Sequence, residues 1–333
     1  MKIRPIERAQ FDIPLLMEEH PPVFRDRNKQ TVFEIACPDG CRDEGTLGYV
    51  RWPLFPLPER VDPALVLGKL EARPTIYDYA PADLGAYAVE WHVNFADRRL
   101  FFGYGTGLFA QDEMQVAEHP ALGALVEALR SLGQTGVTEE DGHPTPVLVT
   151  GVPRRCWVKT DPDEAAGRPR GLYGNEFSAA SAAVVREATV RLEQRTVTNI
   201  IAILAPSYGV GHYTRGTIEQ ILITAYTGFR AALAESLRLT GPVAATVVHT
   251  GYWGCGVFGG NRVLMSLLQI LAAQMAGVDR LVFHTVSAEG GAPFDEAVRI
   301  VTDDLAQPGG VSSAELLDRI VAMGFEWGMT NGS

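Results

Sequence analysis

Glycines near the C-terminal end of this chain have the spacing of a phosphate-binding loop. Gly254, Gly256, Gly259 and Gly260 follow an apolar stretch typical of a strand and precede a helical pattern. Because glycine lets the backbone approach a ligand closely, such a loop aims N–H groups and a helix N-terminus at an anion. We expect residues 254–260 to hold a phosphate or diphosphate. The alternative is a tight turn that binds nothing.

A second glycine-rich loop, residues 103–107, also follows a strand pattern. Gln111, Asp112 and Glu113 stand at the start of the next helical pattern. Two loops of this kind could hold both ends of a nucleotide. Acidic residues are also favoured in the first turn of any helix by the helix dipole, so capping alone is a competing interpretation of the two acids.

The spacing Gly254-x-Gly256-x-x-Gly259 also satisfies the dinucleotide fingerprint, which makes an NAD-dependent oxidoreductase a competing hypothesis. In that fold, an acid at the end of the next strand binds the ribose diol. Here the next strand pattern ends on His284 and Thr285, whereas Asp279 precedes it. The oxidoreductase therefore ranks last among the hypotheses.

The elements that must position these loops alternate between strand and helix. Strand patterns cover 86–96, 147–153, 196–206, 242–251 and 279–286, and helical patterns cover 109–133, 178–194, 217–239, 261–277 and 312–327. Apolar strands that alternate with helices indicate an α/β layered fold with a buried sheet. Thr217 and Ser313 are the expected caps of two helices. Residues 1–80 are rich in proline and weakly periodic, so we predict an N-terminal extension or cap, followed by one domain over 81–333.

Composition excludes several classes of protein. The chain has 333 residues, is 46% hydrophobic and carries a net charge of −11, which argues against duplex nucleic acid as a partner. No apolar segment is long enough for a membrane span and the N-terminus lacks a signal-like stretch, so we expect a cytoplasmic protein. Cys37, Cys41, Cys156 and Cys255 are too scattered for a disulfide scaffold. Nothing in the sequence calls for a metal or a cofactor.

Three segments resemble the poly(ADP-ribose) glycohydrolases. TGYWGCGVFGGNRVL, from Thr250, is similar to a family segment in which Thr-Gly-Asn-Trp-Gly-Cys-Gly-Ala-Phe-Gly-Gly leads into a helix. VNFADRRLFFGYGTGLFAQDE, from Val93, is similar to the family signature, in which Val-Asp-Phe-Ala-Asn precedes three glycines and Gln-Glu-Glu. YTRGTIEQILITAYTGF, from Tyr213, resembles the helix between them. The resemblance covers about residues 90–285, in the family's order.

This resemblance implies a macrodomain-like three-layer α/β/α sandwich with a mixed sheet, and it aligns Glu113 with the family's catalytic second glutamate. Cleavage of a ribose glycosidic bond needs an acid that protonates the departing atom and then a base that activates water. One glutamate can do both in turn, with Gln111 and Asp112 positioning the ribose. The catalytic positions that the resemblance implies are therefore Glu113 and Asp112. The substrate-binding positions that the resemblance implies are Gln111, Asn94, Asp97, Gly103, Tyr252, Gly254, Cys255, Gly256, Val257, Phe258, Gly259 and Gly260.

The chain departs from the family pattern at the reacting end. Phe101 and Phe102 replace the first two of the three glycines, so we expect a reshaped pocket. Asn94 and Asp97 invert the family's Asp and Asn, Asp112 shortens a glutamate, and Tyr252 replaces an asparagine near the adenosine end. The altered glycine loop argues against the polymer as substrate. A smaller ADP-ribosyl compound, such as an NAD-like metabolite or a mono-ADP-ribosylated acceptor, fits a narrowed pocket equally well.

Four further side chains have two interpretations each. Tyr173 and Phe177 could stack on adenine, although aromatic residues in such loops more often anchor packing. His212 and His249 have no acidic partner nearby in the sequence, which favours structural roles.

We therefore hold two leading hypotheses. The first is a hydrolase of ADP-ribosyl glycosidic bonds with Glu113 as acid and base. The second is a module that binds ADP-ribose or a related nucleotide and has lost turnover. Binding without hydrolysis would distinguish the second from the first.

Overall fold

The computed structural model describes residues 3–41, 43–63, 69–82, 84, 87–134, 136–242, 245–307 and 309–328. The strands are β1 (Glu7–Asp12), β2 (Thr46–Arg51), β3 (Arg60–Val61), β4 (Leu70–Arg73), β5 (Ala88–Ala96), β6 (Glu139–Glu140), β7 (His143–Pro144), β8 (Val147–Val158), β9 (Thr189–Leu204), β10 (Ala245–Gly251), β11 (Arg280–His284) and β12 (Val311–Ser312). The helices are α1 (Ile13–Glu19), α2 (Arg27–Ala36), α3 (Gln111–Glu118), α4 (Pro120–Ser131), α5 (Glu176–Ala179), α6 (Ala182–Ala188), α7 (Arg215–Thr240), α8 (Arg262–Ala276), α9 (Gly291–Arg299) and α10 (Ser313–Ala322), with a π-helical turn at Ile300–Leu305.

Eight strands form one mixed sheet in the order β1-β2-β8-β9-β5-β10-β11-β4. The five strands from β9 to β4 run parallel, and β1, β2 and β8 extend the sheet by antiparallel pairing. The expected α/β fold with a mixed sheet is confirmed.

Side chains of successive strand residues point to opposite faces of the sheet, and here both faces carry apolar side chains. Helices therefore pack on both faces. In β5, Trp91 and Val93 belong to a core shared with α7, α8 and α10. On the other face, Ile200 of β9 joins a core with α1, α2 and α4. The layers are therefore helix, sheet, helix, as expected for a three-layer sandwich.

Residues 1–80 contribute three strands to the main sheet. β1 and β2 lie at one edge, and β4 forms the other edge through parallel pairing with β11. The sheet thus continues across the predicted boundary between residues 80 and 81, although the division into two units stays a prediction. Cys37 and Cys41, which we did not expect to pair, are joined by a disulfide with Cα atoms 4.7 Å apart.

Several predicted elements differ in detail from those observed. The helical pattern over 109–133 is two helices that meet at His119, since Pro120 lacks the N–H that would continue the first. The pattern over 178–194 is helical only to Ala188 and continues as β9. Thr217 and Ser313 are not the caps: Thr214 caps α7 and Ser312 caps α10, each accepting from a backbone N–H three residues on.

Within the described residues, none of the helices combines the length and hydrophobicity that a membrane span requires.

Candidate functional site

The two glycine loops lie at the same edge of the sheet. β5 ends at Ala96, β9 at Leu204 and β10 at Gly251, and these three strands are parallel neighbours. Ligands of open α/β sheets bind beyond the carboxyl ends of such strands. The loops 97–110 and 252–261 therefore border the position where a ligand is expected.

Residues 253–260 form a compact loop whose conformation requires glycine. Gly254 and Gly259 have φ values of +73° and +65°, which other residues rarely adopt. The N–H of Gly260 donates to the carbonyl of Gly254 at 3.0 Å, and a Cβ on Gly260 would lie 2.7 Å from that oxygen. Asn261 then caps α8 by accepting from the N–H of Leu264 at 3.1 Å. This geometry suits close approach of an anion to the helix N-terminus.

The tip of this loop is partly open to solvent. Cys255, Gly256, Val257 and Phe258 are half-buried. Burial raises the pKa of the Cys255 thiol to about 12, so the sulfur is protonated near neutral pH and is a poor nucleophile. The exposed ring of Tyr208 packs edge-on against Phe258, with centroids 5.0 Å apart.

The Glu113 carboxyl group is held inside the protein at the start of α3. The residue is 5% exposed, and its Oε2 accepts from the backbone N–H of Ala110 at 3.1 Å. Its Oε1 occupies the place where a Cβ on Gly103 would lie, so only glycine leaves room for the carboxyl group there. Burial raises the pKa of Glu113, and the nearby ammonium of Lys29 opposes the rise. The raised pKa favours the protonated form of this carboxyl group, which is the form that donates a proton.

Asp112 lies beside Glu113 but has a different partner. Its Oδ1 accepts from Nδ2 of Asn94 at 3.0 Å, and both residues are buried. Burial, and next the charge of Glu113, raise the pKa of Asp112 well above its usual range. Oδ1 of Asn94 has no hydrogen-bond partner among the described groups, so one acceptor at this site remains free.

Gln111 and Asp97, which were also predicted to bind substrate, form hydrogen bonds with nearby backbone groups. The amide of Gln111 accepts from the N–H of Phe95 at 2.7 Å and donates to the carbonyl of Val93 at 3.1 Å, which ties α3 to β5. Exposed Asp97 accepts from the N–H of Arg99 at 3.1 Å and closes the turn after β5.

Tyr252, predicted near the adenosine end, is largely enclosed by its neighbours. The residue is 8% exposed, and its hydroxyl donates to the carbonyl of Gly290. Its ring packs edge-on against Phe283 and lies 4.9 Å from the guanidinium of Arg262. The phenol is therefore committed to the fold, and its role in binding stays a prediction.

The two phenylalanines that replace family glycines point in different directions. Phe101 adopts a φ of +50° and is fully buried in the core beneath α4. The ring of Phe102 is 45% exposed and lies 3.4 Å from the guanidinium carbon of Arg99. The expectation that both rings reshape the pocket is therefore wrong for Phe101, because its unusual backbone conformation turns the ring into the core.

Tyr173 is the aromatic residue that joins the two loops. Its hydroxyl lies 3.5 Å from the position of a Cβ on Gly256. Burial, and next the charge of Glu113, raise the pKa of this phenol. Phe177, the other candidate for adenine stacking, is fully buried and stacks on Phe109 with centroids 3.9 Å apart, so it is a packing residue.

A cavity of about 520 Å³ runs beside α3 and shares Gln111 with the site. Its walls come from α3, from the end of β8 and from the segment after β4. The lining includes Tyr77, Tyr79, Gln111, Met114, Gln115, Glu118, Arg154, Trp157 and Thr160. Glu118 and Arg154 form a buried ion pair at 2.8 Å, so their charges offset each other within the wall.

Three buried histidines, from β5, β10 and β11, cluster on one face of the sheet. The sequence did not indicate this cluster. The ring of His92 stacks on His249 with centroids 4.2 Å apart, and Nδ1 of His249 lies 3.1 Å from Nε2 of His284. Nε2 of His249 lies 2.5 Å from Oε2 of Glu90. His249 therefore has an acidic partner, contrary to what its sequence neighbours suggested.

His212 also has an acidic partner that is remote in sequence. Its Nε2 lies 3.2 Å from Oε1 of Glu326, on an exposed surface. These pairs join residues more than a hundred positions apart, so neighbouring sequence carried no signal for them.

Comparison with known families finds a match over part of the chain. Residues 169–291 match the model of a family described as poly (ADP-ribose) glycohydrolase (PARG), macro domain fold. This segment is therefore similar to that family. It contains Tyr173 and the whole loop 253–260, whereas Asp112 and Glu113 precede it.

Solved structures of poly(ADP-ribose) glycohydrolases are also similar to this chain. The enzyme from Thermomonospora curvata has a TM-score of 0.47 at 16% identity, covering 88% of this chain and 85% of that one. The same enzyme bound to the inhibitor ADP-HPD has a TM-score of 0.46 at 19% identity, covering 69% and 77%. The enzyme from Deinococcus radiodurans in complex with ADP-ribose has a TM-score of 0.43 at 16% identity, covering 90% and 96%. At these TM-scores, the similarity alone does not define a function.

Proposed function

We propose that this protein hydrolyses ADP-ribosyl glycosidic bonds with Glu113 as general acid and then general base. One observation carries the proposal: a buried carboxyl group of raised pKa lies against Gly103, on the loop beside residues 253–260, which fall within the segment that matches the family. A raised pKa favours the protonated form of a carboxyl group, and this form can donate a proton to a leaving group.

Glu113 can carry out both proton transfers of the reaction. Glu113 protonates the departing oxygen or nitrogen as the bond to ribose C1″ breaks, which leaves an oxocarbenium-like centre. Water then attacks C1″, and the Glu113 carboxylate takes up the proton that this water loses. The products are ADP-ribose and the free acceptor, and Glu113 regains its starting state.

The other predicted residues would hold the substrate around this acid. Residues 254–260 bind the diphosphate through backbone N–H groups and the N-terminus of α8. Asp112, fixed by Asn94, positions the distal ribose. Tyr173 spans the distance between the two loops. A mono-ADP-ribosylated acceptor or an NAD-like metabolite remains the expected substrate, and a cytoplasmic location stays a prediction.

The second candidate is an ADP-ribose-binding module without turnover. Its support is the short Asp112 side chain, which is committed to Asn94 and carries a raised pKa like Glu113. If Glu113 kept its proton throughout, the site would bind ribose hydroxyls but would neither protonate the leaving group nor activate water.

Calorimetric titration with ADP-ribose, AMP and NAD, followed by hydrolysis assays, tests both candidates. We expect saturable ADP-ribose binding, and release of ADP-ribose from a mono-ADP-ribosylated peptide. Glu113→Gln keeps an oxygen that accepts from the Ala110 N–H, so ADP-ribose affinity should change little while turnover falls by about 100-fold to 10,000-fold. Wild-type binding without release would favour the module, and absence of binding would contradict both candidates.

A further inference from the structure

A buried lysine from the N-terminal part of the chain lies beneath the glycine loop that holds Glu113. α2 begins after Asp26, whose side chain accepts from the N–H groups of Asn28 and Lys29 at 2.9 and 3.0 Å. The amide of Asn28 donates to the carbonyls of Phe177 and Ala180 at 2.7 and 2.9 Å. These bonds fix the first turn of α2 and direct the Lys29 side chain inward.

The Lys29 ammonium is buried without a direct ionic partner. The residue is 0% exposed, and Nζ donates to the carbonyl of Tyr104 at 2.8 Å and reaches that of Gly103 at 3.5 Å. Across the part of the chain that the structure describes, no carboxylate forms an ion pair with it within 4.0 Å. Burial of a cation is costly unless negative charge nearby compensates it.

The compensating charge lies on the other side of Gly103. Oε1 of Glu113 lies close to where a Cβ on Gly103 would be, while the Lys29 ammonium approaches the carbonyl oxygen of Gly103. Burial lowers the pKa of Lys29 to about 8, and the charges of Glu113, Asp112 and Asp26, in that order, oppose the shift. One residue, Gly103, therefore separates a buried cation from a buried acid.

We propose that Lys29 is a positioning residue: it fixes the turn at Gly103 and Tyr104 against Glu113, and its charge favours the ionised form of Glu113, which is the base of the second step. This role rests on the proposed hydrolase function. Once Glu113 has donated its proton to the leaving group, its carboxylate must persist until it takes up a proton from the attacking water. With Lys29 charged, Glu113 releases its proton at a lower pH than it would without that charge.

The pH profile of kcat/KM tests this role with Lys29→Met, which keeps the length of the side chain and removes the charge. Because Glu113 must be protonated to act as the acid, activity declines as pH rises through its pKa. Loss of the Lys29 charge raises that pKa, so we expect the alkaline limb to move up by about one to three pH units. Lys69→Met, at an exposed lysine in the segment before β4, should leave the profile unchanged.

A purely structural role would lower activity equally at all pH values, and an unshifted alkaline limb would overturn the proposal. If the wild type releases no ADP-ribose from any conjugate, the hydrolase function itself fails. A second measurement needs neither activity nor the Lys29 variant. By NMR titration of the Lys29 side chain, Glu113→Gln should lower the lysine's pKa by a further unit or so, since it removes a neighbouring negative charge. An unchanged lysine pKa in Glu113→Gln would contradict the proposal even if Lys29→Met does not fold.

Discussion

The position of the Glu113 carboxyl group depends on Gly103 having no side chain larger than a hydrogen atom. A larger residue at 103 would displace Oε1, yet the displaced group is the far end of a flexible side chain. A larger side chain at position 103 would therefore displace the Glu113 carboxyl group and leave the hydrophobic core unchanged. We expect such a substitution to lower activity with little change in the free energy of unfolding.

Gly103→Ala should consequently lower turnover by roughly 100-fold, because displacement of a reacting group by about 1 Å costs that much. The free energy of unfolding should change by less than about 1 kcal/mol. Single-turnover release of ADP-ribose and urea unfolding measure the two effects. Gly216→Ala, on a glycine near the start of α7 with open space around its Cβ position, is the matched control. Full activity in Gly103→Ala would show that Glu113 does not depend on this contact.

At the scale of elements, helix ends position the site. α3 ends at the residue before His119 and α4 begins at Pro120, so the acids occupy the first turn of a short helix. α8 begins directly after the loop 253–260, where Asn261 caps the helix and also donates to the carbonyl of Glu326 at 3.0 Å. The cap thus joins the loop, the helix and the C-terminal segment.

Asn261→Ala should destabilise the protein by about 1 kcal/mol or somewhat more, since it removes an N-cap acceptor and a bond to Glu326. Urea unfolding gives this value directly. Asn261→Asp keeps the acceptor for the N–H of Leu264, and its loss of stability should be clearly smaller. Equal losses in the two variants would mean that capping is not what Asn261 contributes.

On the scale of the whole molecule, buried histidines couple stability to pH. Burial lowers the pKa of His92 well below its ordinary value, that of His284 to about 4 and that of His119 to about 3. Below pH 6.5 the unfolded chain binds protons that the folded chain excludes. These residues therefore favour the folded state above pH 6.5, and that contribution is lost as the pH falls toward 4. Asp112, Glu113 and Glu118, whose pKa values are raised, act in the opposite direction over part of this range.

Comparison of His92→Leu with the wild type isolates the contribution of His92 to this pH dependence, because the buried carboxyl groups are the same in both proteins. Neither ring nitrogen of His92 has a partner in the described structure, so an apolar replacement leaves no new unpaired group. We expect the slope of unfolding free energy against pH, between pH 4.5 and 6.5, to decrease by roughly 1.4 kcal/mol per unit. Chemical denaturation at several pH values measures it. Exposed His143→Leu should keep the wild-type slope, and a wild-type slope in His92→Leu would refute the assignment.

The features of this protein that could be predicted are those that depend on residues close together in the sequence. Glycines and apolar runs act within a few positions, so the loop at 254–260, the acids at the start of α3 and the order of most strands and helices after residue 80 followed from the sequence alone. Only the tertiary structure brought Lys29 to Gly103, paired His249 with Glu90 and inserted β1, β2 and β4 into the sheet. These contacts join residues that are far apart in the chain, and burial and charge at such contacts depend on packing that no local pattern specifies.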